Sequence, residues 1–185
     1  MKPLILFLVH LPPPWIGPAA VNEALLSSPG LQTEFSCEVL PVNTSSRMKE
    51  INRFSWRKAA SAILLAARLV RRMREKRPAL VYMTLTPTGI GFLKDLFLVF
   101  VVKAFRARLV YHLHGKGVRS RQGVWWRLLY KNCFSATRVI LLSESLYPDI
   151  QAYVSRSQVA VVPNGVALAC PVEEWEKLRE ERRRP

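Results

Sequence analysis

Six short apolar runs punctuate the chain, and helical segments separate them. Leu4 to Val9 is apolar at every position, as in a strand buried on both faces of a parallel sheet. The proline-rich loop from Leu11 to Gly17 ends it. Pro18 then opens a helix to about Ser28, because proline is tolerated in the first turn, and Pro29-Gly30 is expected to stop it. Phe35 to Val42 reads as a second strand, and the polar stretch Asn43 to Asn52 as a loop. From Ser55 to Lys76 the spacing predicts a helix, with Ile63, Ala66, Ala67, Val70 and Met73 on one face. Its end is crowded with arginines, which suit a helix carboxyl terminus, and Pro78 prevents continuation.

Leu80 to Thr84 is a third strand, followed by a loop at Thr86-Pro87-Thr88-Gly89 and a very apolar helix to about Phe105. Arg108 to His112 is a fourth strand, Gln122 to Phe134 a helix, Arg138 to Leu142 a fifth strand and Gln158 to Val162 a sixth. Ser143 is an N-cap residue for a helix after the fifth strand. Glu173 to Arg184 is a charged helix with little to bury. Strands alternating with helices imply parallel βαβ units. The expected fold is α/β: a Rossmann-like parallel sheet of about six strands with helices on both faces, over residues 1–168, followed by a connector over 169–185. Ligands in such sheets bind at the carboxyl ends of the strands, which singles out the loops 11–17, 85–90 and 113–121 and the turn at Ser143.

Charge adds an expectation about partners. Lys and Arg outnumber Asp and Glu by 28 to 13 in 185 residues, a formal net charge of +15. Such a field draws nucleic acid, acidic lipid or phosphorylated ligands without choosing among them. The three cysteines, Cys37, Cys133 and Cys170, show neither disulfide-framework nor zinc-finger spacing, so a reduced, cytoplasmic setting and no metal are expected. The first apolar run is short and followed at once by Pro12-Pro13-Pro14, which fits a buried strand better than a signal peptide. No apolar run approaches the ~20 residues of a membrane span, so a soluble protein is expected.

Known catalytic signatures are few. No GxGxxG follows the first strand, and no GxxxxGK[ST], GxSxG or HExxH occurs. His112 and His114 flank Leu113 at the end of the fourth strand, and residues two apart on a strand face one way. They read either as a structural pair or as polar groups aimed at a ligand. Gly115 and Gly117 around Lys116 favour the second, since glycine lets backbone approach a bound group and lysine supplies positive charge. Gly17, just before a helix, stands where free N–H groups suit phosphate, or merely in a strand-to-helix connection. Ser143 and Glu144 read as a cap and first-turn decoration or as a polar switch at the strand end. Val159 to Val162 followed by Pro163-Asn164-Gly165 is a strand and a tight turn.

In this order and spacing, Leu4–His10 with its glycine-bearing loop, Pro78–Tyr82, Leu109–Gly115, Val139–Glu144 and Val161–Val166 resemble the N-terminal domain of a family-4 glycosyltransferase of the GT-B type. The resemblance spans residues 2 to 170 and implies two Rossmann-like domains facing a cleft, the first binding mainly the acceptor. By that resemblance His114, rather than His112, contacts the transferred sugar. Gly17 approaches the donor diphosphate, although Pro18 beside it offers no N–H. Ser143 and Glu144 match the end of the fifth strand, with Gly115 and Lys116 beside the donor and acceptor. Asn164 and Gly165 form the hinge. The family's paired-glutamate motif belongs to the second domain, so the chain is expected to be the acceptor-side half of a retaining, hexosyl-type enzyme, inactive alone. Its expected partners are a sugar nucleotide as substrate with no cofactor, a hydroxyl acceptor (lipid-linked or polysaccharide), the missing donor domain and an anionic membrane surface. Two alternatives stand beside it: a non-catalytic basic module for nucleic acid or acidic membranes, and a regulatory subunit of a split enzyme.

Overall fold

The computed structural model describes residues 2–13, 17–42, 56–164 and 179, with side chains from residue 60 onward in the helix that begins at Trp56. The expected loop at 43–52, the tail helix beyond residue 172 apart from Arg179, and Gly165 lie outside the described residues.

Among the described residues six strands form one parallel sheet: β1 (Leu4–Val9), β2 (Ser36–Pro41), β3 (Leu80–Thr84), β4 (Arg108–Leu113), β5 (Thr137–Leu141) and β6 (Val159–Val161). Their order is β2-β1-β3-β4-β5-β6, with every pairing parallel. The Rossmann-like architecture is therefore as expected. The central strands carry near-continuous apolar runs because helices cover the sheet, and Ile5 to Val9 are all buried. The edge strands β2 and β6 are more exposed.

The two sheet faces are unequally clothed. Leu6, Leu8, Val81, Met83, Leu109, Tyr111, Leu113, Val139 and Leu141 point into the larger core. That core is roofed by α3 (Trp56–Lys76), α4 (Gly89–Ala104), α5 (Val124–Phe134) and the short α6 (Tyr147–Ile150). The opposite face, with Ile5, Phe7, Val9 and Tyr82, packs under α1 (Gly17–Leu26) and α2 (Pro29–Glu34). Val110 and Ile140, farther along this face, are only half-buried. The polar residues of the candidate site stand on this face.

Several local expectations are corrected. α1 ends at Leu26, ahead of Pro29-Gly30 as expected, but a second helix follows at once: Ser28 occupies the cap position and Pro29 opens α2, because proline's fixed φ and missing N–H suit a first turn. α5 begins at Val124 rather than Gln122, since Gly123 has φ 110°. The helix after Ser143 is a 3-10 turn, Glu144–Leu146, followed by the single turn of α6. The packing face of α3 is Leu65, Ala66, Leu69 and Met73, all buried, whereas Ile63 is 63% exposed and Ala67 is exposed. Of the expected face, Ala66 and Met73 are buried and Val70 is half-buried, so periodicity placed part of the packing face and missed Leu65 and Leu69 because the helix carries apolar residues on two sides. Cys37 and Cys133 are free thiols, and burial raises the thiol pKa of each.

Candidate functional site

His112 is the fifth residue of β4, aligned with Thr84 on β3 and Ile140 on β5. His114 follows the strand by one residue. Alternation of side chains brings both rings to one side, and their centroids lie 4.2 Å apart. His112 is buried and His114 half-buried. His112 Nδ1 meets the Tyr82 hydroxyl of β3 at 2.5 Å. Burial pushes the Tyr82 phenol well above its ordinary pKa, so the phenol keeps its proton. Donation to Nδ1 gives that proton an acceptor; the reverse arrangement would leave a buried O–H unpaired. His112 is thereby the Nε2–H tautomer. Among the described residues neither its Nε2 nor that of His114 has a hydrogen-bond partner, although both atoms are buried. Buried polar atoms are ordinarily paired, so two uncommitted ring nitrogens at the carboxyl edge of a central strand, where such sheets place ligands, make this the candidate site.

Electrostatics keep both rings neutral at pH 7. Burial, followed by the neighbouring His114, lowers His112 from 6.5 to about 4. Burial also lowers His114. A neutral imidazole meets a hydroxyl without stripping water from a charge.

Two loops beside the pair are braced from below. The loop after β3 is held by Asp95 of α4, a fully buried carboxylate that accepts from Thr86 N–H at 2.9 Å and pairs with Lys94. The Tyr130 hydroxyl donates to Pro87 O at 2.8 Å. In the loop after β4, the Asp149 carboxylate accepts the backbone N–H groups of Gly117, Val118 and Arg119 at 2.8–3.0 Å. Gly117 therefore does not serve a ligand, as its spacing had suggested. Its N–H is taken, its φ is +147°, and an added Cβ would stand 2.6 Å from the Thr88 methyl. Gly115 differs: nothing lies within 4 Å of a Cβ placed there. Lys116 is exposed beside it.

At the other strand ends, Asn22 of α1 donates to His10 O and accepts from Thr84 Oγ1, each at 3.0 Å, tying the ends of β1 and β3 together. Gly17 is the exposed first residue of α1 with open space where a side chain would stand. Ser143 Oγ accepts from Ser145 N–H, and Glu144 pairs with Arg156 at the surface. Both are exposed. Ser143 lies two residues past Leu141, the register partner of Leu113, so it shares the carboxyl edge with His114 while its polar contact is local. Asn164 is exposed beyond β6. Tyr82, Asn22, Asp95 and Asp149 were not foreseen. The alternation that pairs His112 with His114 also puts Tyr82 on that face once β3 and β4 are known to be neighbours.

The glycines give a stability test. Gly117→Ala is expected to cost about 1–3 kcal/mol, because alanine is strained at that φ and meets Thr88. Gly115→Ala is expected to leave stability unchanged or raise it by up to about 1 kcal/mol. Urea melts of both variants check this, and equal midpoints would refute the division.

A six-stranded parallel sheet covered by helices, with a histidine pair and two braced loops at its carboxyl edge, defines a Rossmann-like α/β domain. The chain belongs to Glycosyltransferase Family 4, whose family model matches residues 27–169. No curated protein matches it in sequence. Among solved structures it is similar to the crystal structure of Anabaena Alr3699/HepE in complex with UDP, at 20% identity and a TM-score of 0.47, covering 98% of this chain. The chain spans 50% of that structure's length.

Proposed function

We propose that the chain is the acceptor-side half of a retaining, hexosyl-type glycosyltransferase that moves a sugar from a sugar nucleotide to a hydroxyl acceptor. The uncommitted ring nitrogens of His112 and His114 carry this reading in a chain of this family. His114 is the catalytic contact: its ring meets a hydroxyl of the transferred sugar, with Gly115 leaving room for close approach and Lys116 facing developing negative charge. Ser143 and Glu144 border the donor and acceptor. Gly17, at the start of α1, lies toward the donor diphosphate, and Asn164 with Gly165 forms the hinge to a donor-side domain. No resident cofactor or metal enters the scheme. Catalysis is then positioning and stabilisation of the leaving diphosphate, so this half alone gives negligible turnover.

Transfer is tested by incubating protein carrying this chain and a donor-side domain with sugar nucleotides and hydroxyl acceptors, then assigning the product's anomeric configuration. A product with the donor's anomer is expected. An inverted anomer overturns the retaining assignment, and turnover by the isolated 185-residue chain overturns the division of labour.

A further inference from the structure

The outward side of α4 is apolar from end to end. Ile90, Leu93, Phe97 and Phe100 are each 42–49% exposed and, spaced three and four apart, lie along one line. The two lysines of α4 are drawn aside. Lys94 bonds Val42 O and pairs with the buried Asp95, while Lys103 bonds the carbonyls of Asn132 and Ser135. α3 and α5 pack beside α4 and add the exposed Ile63, Leu64 and Trp125, the last 80% exposed. Large exposed apolar residues gathered on three neighbouring helices mark an interaction site.

Charge identifies what covers it. α3, α4 and α5 together carry eleven basic and two acidic residues. Asp95 is buried and Glu75 is bonded to Arg71, so the exposed character is basic. A second copy packed here would bring two such arrays together. Among the described residues no helix is long and apolar enough to cross a membrane; a face that is both apolar and basic suits a layer that lies on an anionic bilayer.

We infer that the outer face of α3, α4 and α5 docks on an anionic bilayer. Phe97, Phe100 and Trp125 enter the headgroup boundary, where tryptophan is favoured, and Arg68 holds acidic headgroups together with Arg71, which exchanges its exposed surface pair with Glu75 for them. The apolar line begins beside Thr88, which packs against the loop carrying His114, so the carboxyl edge of the sheet sits at one end of the docked face. A lipid-linked acceptor follows only if the sugar-transfer reading holds; docking itself does not depend on it.

The test is co-sedimentation of the full-length chain with vesicles of phosphatidylcholine, alone or mixed with phosphatidylglycerol. Binding to the mixed vesicles, fading with salt, is expected. Phe97→Ser with Phe100→Ser, and separately Arg68→Gln with Arg71→Gln, should each weaken it about tenfold or more while leaving the thermal melt in place. Equal binding to neutral vesicles, or unchanged partition of either folded double variant, overturns the inference. So does loss of a dimer in the serine variant without loss of vesicle binding, which would make this face an interface between copies. Salt-dependent capture of an oligonucleotide, with no binding to acidic vesicles, would assign the charge to nucleic acid and overturn it equally.

Discussion

His114→Ala, in protein that includes a donor-side domain, is expected to lower kcat by about 10²-fold or more, by analogy with removing one preorganised polar contact. The ring stands at the carboxyl end of a central strand with its Nε2 uncommitted among the described residues. Nothing among the described residues bonds that nitrogen, so its loss is expected to register in turnover more than in stability. A contact strengthened in the transition state lowers kcat more than it raises KM. His112→Ala is the contrasting variant. Its Nδ1 holds the buried Tyr82 hydroxyl, and truncation strands that hydroxyl at a cost of about 1–3 kcal/mol. Its main expected effect is a lower melting temperature. Steady-state kinetics and melting curves of both variants decide between these roles. If His112→Ala abolishes turnover in folded protein while His114→Ala leaves it intact, the roles are reversed.

Much of the fold was legible because the central strands leave little ambiguity. Leu4–Val9 and Leu80–Thr84 are too apolar and too short to be anything but strands covered on both sides, and βαβ alternation then dictates a parallel sheet. The histidine pair was visible as a two-residue spacing at a strand end. Other features were hidden for physical reasons. α3 presents apolar residues both inward, at Leu65 and Leu69, and outward, at Ile63 and Leu64. Its periodicity therefore does not say which side meets the core, and the outward strip surfaced only with the fold. The Tyr82–His112 contact joins residues 30 apart across a strand pairing. The Asp149 carboxylate that secures Gly117 comes from 32 residues away, and no local motif announces it. Gly117 thus looked like a ligand-facing glycine when its freedom is spent on packing against Thr88.

The same histidine pair makes stability depend on acid. Native His112 titrates at about 4 against 6.5 for an ordinary histidine, first because it is buried and then because a second imidazole stands beside it. The unfolded chain consequently binds more protons than the native one between those values, so stability is complete above pH 6.5 and is lost as pH falls toward 4. The size for His112 is about 3 kcal/mol, and the lowered His114 acts in the same direction. His112→Asn is the informative variant, because its side-chain oxygen occupies the place of Nδ1 and still accepts from Tyr82, yet it does not titrate. Urea unfolding between pH 7 and pH 4 should show a steep loss of stability in the parent protein. The variant should show a much shallower loss, leaving the contribution of His114. Parallel pH profiles for the two proteins would mean that His112 is already free to protonate in the native state, and the neutral pair would no longer stand.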